Sequence, residues 1–463
     1  MKTLATFVGL GLGLWVSFAG VTDLGGPGSI AWADDGIPAP PGAMSPGGAI
    51  SPVAVVSGAG VRIGEGTIFR PQIGIETGVV SNVFYENSAP VTAGLLRILA
   101  EIGTSSLPGQ RLAYKTTGTT GEDEDASTSQ PQTAPNPGEF QYSADLYASW
   151  DQYLSTNDAV AAQGGLGGGL LVRGLVGPAR ALQFGFQDDF SRVIRATNFE
   201  SQTDTNRDVN HLGLRLSYVP IGRSLGGYVY YLNTIDAFEQ SSQQFANRLQ
   251  NTLGLRVNWQ WLPQTRVYAD LSEGYYTGLG SSQKVNSYPF TAVAGLQTLL
   301  SLNVTVNAHA GYTNGFYASG PSYSGVSAGA QIGYRYSPLG RVAALYDYSF
   351  QDSINANFYR DHLFGLSVEQ YFVPFVVFAQ PELRLRQYRG TIVMGNSGDT
   401  RDDLLLGATV GMRYNFRDWL AATLNYQLQA VQTDFRYDPS PRVMNADPSY
   451  VRHELLVGVR AAY

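Results

Sequence analysis

Leu455-Leu456-Val457-Gly458-Val459-Arg460-Ala461-Ala462-Tyr463 closes the chain. Leu455, Val457, Val459, Ala461 and Tyr463 alternate with Leu456, Gly458, Arg460 and Ala462, and the last residue is aromatic. Successive side chains of a β-strand point to opposite faces, so this segment has one continuous apolar face and one mixed face. The same period of two runs upstream. Ala422, Leu424, Tyr426, Leu428 and Ala430 alternate with Thr423, Asn425, Gln427 and Gln429. Val304, Val306, Ala308, Ala310 and Tyr312 alternate with Thr305, Asn307, His309 and Gly311, and Leu253, Leu255, Val257, Trp259 and Trp261 follow the same rule. Strands of soluble sandwiches are usually about 5–6 residues long. These segments run to about ten or more, the length a tilted strand needs to cross a bilayer.

Composition removes the competing classes. Only 14% of the 463 residues are charged, against about 25% in a typical soluble domain. Yet past the N-terminal apolar run ending near Val21, no stretch approaches the roughly 20 apolar residues of a spanning helix, which excludes a helical membrane bundle. The absence of cysteine removes disulfides, thiol catalysis and cysteine-ligated zinc. A net charge of −7 gives no basis for nucleic-acid binding. The 54 glycines and 28 tyrosines suit bends, strands and interfacial aromatic belts.

Connectors alternate in kind. Tight turns marked by Pro or Arg occur at Pro178-Ala179-Arg180, Pro220-Ile221-Gly222-Arg223, Leu262-Pro263-Gln264, Pro338-Leu339-Gly340-Arg341 and Phe416-Arg417-Asp418. Between them lie longer polar loops, among them 235–248, 277–289, 314–323, 351–361 and 432–449. Short turns on one side and long loops on the other are the asymmetry of a bacterial outer-membrane barrel. The expected fold is therefore all-β: a transmembrane antiparallel up-and-down β-barrel of about 18 strands, with 16 as the lower bound, both termini on the periplasmic side. The expected strands run from 68–81 to 450–463 and include 158–173 and 361–372. If Arg111–Thr117 is also a strand, the count changes and the acidic run Glu122-Asp123-Glu124-Asp125 moves to the outside.

Residues 1–33 read as a secretory signal: Lys2, an apolar run, then Ala31-Trp32-Ala33, with Ser17-Phe18-Ala19 as the alternative cleavage site. Residues 34–66, with Pro38, Pro40, Pro41, Pro46 and Pro52 and no period, read as a flexible periplasmic lead-in. Residues 67–463 are assigned to the barrel.

The closing strand resembles the C-terminal signature of Gram-negative outer-membrane barrels. That resemblance implies that Leu455, Val457, Gly458, Val459, Ala461 and Tyr463 form the signal read by the barrel-assembly machinery. Ser81-Asn82-Val83-Phe84-Tyr85 and Gln187-Asp188-Asp189-Phe190-Ser191-Arg192 resemble the β-barrel porin family associated with extracellular polysaccharide loci. This narrower resemblance implies polysaccharide export and periplasmic export components as partners.

On this register Trp259, Trp261 and Trp419 fall beside short turns, as an aromatic girdle in outer-membrane lipid requires. The opposite face carries Arg215, Arg256, Arg266, Arg335, Arg386, Arg413 and Arg460 together with Glu76, Asp145, Asp270, Asp347, Glu369 and Glu382. Charges of both signs are costly in hydrocarbon, so these thirteen are the candidate pore lining. Each also has a plain role as half of a wall-stiffening ion pair. Barrels of 16–18 strands enclose an aqueous channel.

Other chemistry is weaker. Gly325-Val326-Ser327-Ala328-Gly329 matches a nucleophile elbow, which needs a strand-to-helix turn, but it sits in an alternating strand. His211, His309, His362 and His453 fall on separate strands. Asp204-Thr205-Asn206-Arg207-Asp208 has calcium-loop spacing without the Gly at position six or the Glu at position twelve. Gly164–Gly169 lacks the Lys-Ser/Thr of a phosphate cradle. No metal, cofactor or enzymatic activity is expected. The functional expectation is a porin-like outer-membrane channel for hydrophilic solutes. The alternatives are a non-conducting structural or adhesin barrel and, more remotely, a barrel hydrolase.

Overall fold

The structure is a computed structural model that describes residues 60–106 except 65, 139–194, 206–438 except 221, 223, 242, 373, 393 and 394, and 446–463. The expected signal sequence, residues 34–59 of the lead-in, the Arg111–Thr117 segment and the acidic run lie outside the described residues.

A three-residue strand β1 (Val61–Ile63) precedes β2 (Thr67–Val80), β3 (Ala93–Ser106), β4 (Phe140–Leu154), a one-turn helix α1 (Asp158–Ala161), β5 (Gly165–Val176) and β6 (Leu182–Val193). Then come β7 (Arg207–Tyr218), β8 (Leu225–Phe238), β9 (Arg248–Leu262), β10 (Thr265–Gly278), β11 (Phe290–Ser301), β12 (Val304–Asn314) and β13 (Ser324–Ser337). The chain ends with β14 (Gly340–Asp352), β15 (Ala356–Phe372), β16 (Phe375–Thr391), β17 (Thr400–Arg417), β18 (Leu420–Thr433) and β19 (Tyr450–Ala462). Each strand from β2 onward pairs antiparallel with the next, and β19 returns to pair with β2 through Val457↔Thr77 and Val459↔Ile75. The result is a closed wall of 18 strands, to which β1 adds only a short pairing with the start of β2.

Closure follows from the sequence pattern. An open edge would present unpaired N–H and C=O groups to hydrocarbon, which lipid cannot satisfy. Both termini of the wall lie at the rim carrying the two-residue connectors 263–264, 302–303, 338–339 and 418–419. That rim is periplasmic, because short turns mark the periplasmic side.

Three expected boundaries shift. Residues 158–173 are not one strand: Asn157 caps α1 by accepting from the Ala159 N–H at 2.9 Å, and β5 starts only at Gly165. The expected loop 351–361 contracts to a turn at 353–355, where the Ser353 hydroxyl accepts from the N–H groups of Asn355 and Ala356. The polar residues after it are the outer end of β15, not loop. The lead-in is not wholly without structure, since 61–63 form β1.

The wall has two chemically opposed faces. Outward positions include Ile73, Ile75, Leu216, Leu253, Val326, Leu455 and Val457, all exposed. Along β9 the outward apolar run spans 253–261, roughly 23 Å after tilt, close to the apolar band of outer-membrane barrels. Above it the outward side chains turn polar. Tyr231 and Asn233 both donate to Asn251 Oδ1, Asn210 donates to Asp188, and Arg389 pairs with Asp402 at 3.0 Å.

The abundance of Gly and Tyr has a packing cause on the inner face. A Cβ at Gly254 would collide with the ring of Tyr230 on β8, and one at Gly295 with the ring of Tyr268 on β10. Each inward tyrosine therefore lies across the glycine of the adjacent strand instead of projecting into the lumen, the aromatic rescue of a strand glycine. Such pairing covers backbone while keeping the interior wide.

Candidate channel lumen

Register places all thirteen candidate lining residues on the inner face, because each is out of phase with exposed apolar neighbours such as Ile75, Leu216, Val257, Leu271, Tyr334 and Val459. Several are sealed within the wall. Arg386 and Glu76 are each 1% exposed.

Two networks hold them. On one side, Arg452 donates to Tyr85 at 2.6 Å and pairs with Glu454 at 2.8 Å. Glu454 also faces Arg97 at 3.6 Å, Arg97 binds Asp151 through two bonds of 2.7 Å, and Glu76 joins Arg97 to Arg460. A column of alternating charge thus descends the inner face of β19, β2, β3 and β4. Across β15–β17, Arg386 grips Asp361 at 2.7 and 2.6 Å and stacks on Tyr359 at 3.8 Å, Arg384 binds Glu382 at 3.0 Å, and Arg401 binds Asp403 at 2.7 Å. The sequence pattern missed Arg97, Asp151, Asp361, Arg384, Arg452 and Glu454. On β3 the inward positions beside Arg97 are Leu95 and Leu99, both buried, so polarity alone could not set the phase there.

Height along the lumen sorts the charges. Within four residues of the periplasmic strand ends, Arg70, Arg173, Arg215 and Arg266 point inward. Arg335, Arg341, Arg413 and Arg460 complete the ring, and among the described residues Glu369 is the one inward carboxylate at that depth. Five to nine residues in, the sign inverts. Glu76, Glu101, Asp145 and Asp189 there are joined by Asp270, Asp347, Glu382 and Glu454, against Arg97, Arg256 and Arg384. Beyond that depth the charges pair off, as Arg207 and Arg248 do on Asp236 at 3.0 and 2.9 Å.

The outer mouth is narrowed by loops that fold in. Asn82 and Tyr85 hold positive φ angles of 54° and 57°. The Asn82 side chain accepts from the Glu86 N–H at 2.7 Å and donates to the carbonyls of Glu86 and Val451. This fold tucks Val83 against Val80, Leu95, Tyr153 and Leu456, and Tyr85 against Leu405, Val431 and Tyr450. The Ser81–Tyr85 segment therefore crosses the inner faces of β19, β18 and β17. Opposite it, Lys284 of the β10–β11 loop donates to the carbonyls of Ser353, Ile354 and Ala356, four strands away. Ser282 and Gln283 donate to the Phe245 carbonyl of the β8–β9 loop. Tyr85→Ala is expected to raise unitary conductance in planar bilayers, since it removes the side chain that pins the 81–92 loop inside the mouth. An unchanged conductance would show that the narrowing lies elsewhere.

The wall is closed, apolar outside and charged inside. This is an outer-membrane barrel. Of the expected girdle residues, Trp259 and Trp261 are exposed at the end of β9 just before the 263–264 turn, and Trp419, also exposed, occupies the 418–419 turn. The expected assembly-signal residues lie in β19, with Leu455, Val457 and Val459 facing lipid and Gly458 facing the lumen; Tyr463 is the residue after it. A groove of about 410 Å³ on the lipid face is lined by Leu255, Val257, Leu271, Ala292, Ala294 and Ala310 and reaches Asp270.

The residues weighed for other chemistry are dispersed. Ser327 is buried in β13 with no strand-to-helix turn. His211 meets Thr234 at 3.0 Å and His309 meets Asp347 at 3.6 Å on the inner face, while His362 and His453 meet Tyr346 and Tyr426 on the outer face. No group of three or more His, Asp or Glu residues suited to a metal occurs among the described residues. Residues 204 and 205 of the calcium-like spacing lie outside the described residues. In the Gly164–Gly169 run a Cβ at Gly169 would come within 2.5 Å of the Phe190 carbonyl, so close strand approach accounts for glycine there.

No protein-family model matches the sequence, and no curated protein matches it. Among solved structures the chain is similar to the outer-membrane protein OpdK of Pseudomonas aeruginosa, at 9% identity, covering 85% of this chain and 99% of that one, with a TM-score of 0.44. A BenF-like porin from Pseudomonas fluorescens Pf-5 gives 8%, 85%, 99% and 0.44 in the same order. The FrpB iron transporter of Neisseria meningitidis gives 8%, 87%, 82% and 0.44. Likeness this distant transfers neither substrate nor mechanism, and the lumen's own residues must carry the functional argument.

Proposed function

We propose that the protein is a porin-like channel that passes hydrophilic solutes across the outer membrane. The observation that carries this reading is the charged inner face of an 18-strand wall. Barrels of 16–18 strands are wide enough to hold water, and ions on the inner face need that water or each other. Refolded protein in planar bilayers is expected to give discrete, ohmic conductance steps. A correctly folded barrel that gives none would favour the non-conducting, loop-binding reading.

The finer reading is an outlet for a secreted polysaccharide, and two features support it. The Ser81–Tyr85 segment that carries the family resemblance lines the outer mouth, where an emerging chain would pass. The periplasmic mouth is charged, and the two-residue turns at 263–264, 302–303, 338–339 and 418–419 leave little to fold over it at those hairpins. Accumulation of the polymer in the periplasm of a deletion strain is the expected phenotype, and normal secretion would remove this reading while leaving the channel intact.

A further inference from the structure

We propose that the periplasmic mouth is a sided binding ring for multivalent oxyanions, a class that includes carboxylate- and phosphate-bearing chains. This deepens the channel reading and rests on it. Eight inward arginines lie within four residues of the periplasmic strand ends. Arg460 is held by Glu76, and Glu369, the one inward carboxylate at that depth among the described residues, is engaged by Arg341 and by the Tyr371 hydroxyl at 2.6 Å, which leaves six outside those two pairs.

A ring built only to stiffen the wall would alternate in sign, as the column from Arg452 to Arg460 does. Here like charges are juxtaposed. Arg335 and Arg341 sit directly opposite each other across β13 and β14, an arrangement that destabilises a sheet. Arg413 and Arg460 lie within electrostatic reach of each other. Two guanidinium groups also retain donors. Nε and Nη1 of Arg215 and Nε of Arg173 are buried without a hydrogen-bond partner, and the Arg215 guanidinium lies 5.4 Å from the Tyr228 ring centre. The guanidinium fork matches carboxylate and phosphate oxygens bidentately.

The carboxylate belt above the ring makes the site sided. A polyanion arriving from the periplasm meets the arginines first. One arriving from outside must pass Glu382, Asp347, Asp270 and their neighbours before reaching them. The two layers are in contact, since Arg460 binds Glu76 and Arg173 lies within electrostatic reach of Asp145 and Asp189, so the bias rests on the order in which a chain meets them.

The test uses the full-length protein in planar bilayers. Thr156→Cys, on the exposed outer connector of a chain with no other cysteine, marks orientation by reaction with an impermeant maleimide. Hexagalacturonate and tripolyphosphate are added to either side, with maltohexaose as the neutral control. Current blockades by both anions are expected about tenfold more often from the periplasmic side, within the range that electrostatic focusing gives, and the bias should vanish in 1 M KCl, where the Debye length is about 3 Å. Blockade by only one anion narrows the class to carboxylates or phosphates. Arg173→Gln/Arg215→Gln/Arg335→Gln should abolish the bias, and single Arg215→Gln serves if the triple variant does not fold. Equal blockade by maltohexaose, or a bias untouched by the substitutions, overturns the ring. A folded barrel without current overturns the channel reading instead. The ring is then judged by equilibrium binding of hexagalacturonate and tripolyphosphate to detergent-solubilised protein, where no binding of either, or binding unaffected by the substitutions, overturns it.

Discussion

Deleting residues 450–463 is expected to leave no assembled barrel in the outer membrane, read as loss of the heat-modifiable band and of protease protection. β19 makes twelve register pairs with β18 and nine with β2. Its removal opens two edges, and each unpaired backbone group in hydrocarbon costs several kcal/mol. Even a few such groups exceed a total folding stability of about 5–15 kcal/mol. Tyr463→Ala separates recognition from wall stability. The Tyr463 side chain is 69% exposed, and its contribution to the wall is a backbone N–H donated to Pro71 at 3.1 Å, which alanine preserves. Refolding in vitro should therefore differ by less than about 1 kcal/mol, while the assembled amount in cells should fall steeply. Equal amounts in cells would show that the terminal aromatic is not the assembly signal.

The strands were legible because lipid imposes a strict rule on the outer face. Ala422 to Ala430 and Val304 to Tyr312 alternate without interruption where both neighbours are also lipid-facing. Legibility failed where the outward face leaves the bilayer. Arg360 and His362 lie on the outer face of β15, Arg360 donating to Gln387 and His362 meeting Tyr346 at 3.0 Å. The polarity of Arg360 made the outer end of that strand, 356–360, read as loop, whereas His362 fell within the expected strand 361–372. The arginine ring was half visible. Arg215, Arg266, Arg335, Arg413 and Arg460 sit in clear alternation, whereas Arg173 follows a glycine-rich run that sets no phase and Arg341 opens its strand. The segregation of sign with depth was not legible at all, because it requires the register of many strands at once. The same holds for the tyrosines that cover glycines on adjacent strands, and for the inward fold of 81–85, which depends on positive φ at Asn82 and Tyr85.

Arg386→Met should have the largest effect of any inner-face substitution, about 3–5 kcal/mol of unfolding free energy. The side chain is 1% exposed, bound bidentately to Asp361, stacked on Tyr359 at 3.8 Å and bonded to the Tyr388 hydroxyl at 3.3 Å. Its removal strands a carboxylate that is itself 2% exposed. The nearest remaining cation is Arg384, 3.6 Å from Asp361 and already held by Glu382. The penalty comes from the stranded charge more than from the lost pair, so Asp361→Leu/Arg386→Met should recover much of the loss. Urea unfolding in phospholipid vesicles measures both variants. The sealed location also predicts little change in ion selectivity, in contrast to substitutions in the periplasmic ring, because a charge pair closed off from lumen water presents almost no net field to a passing ion. If Arg386→Met unfolds at the wild-type urea concentration, the pair is not sealed from water and the lumen reaches further into the wall at β15 and β16 than its burial indicates.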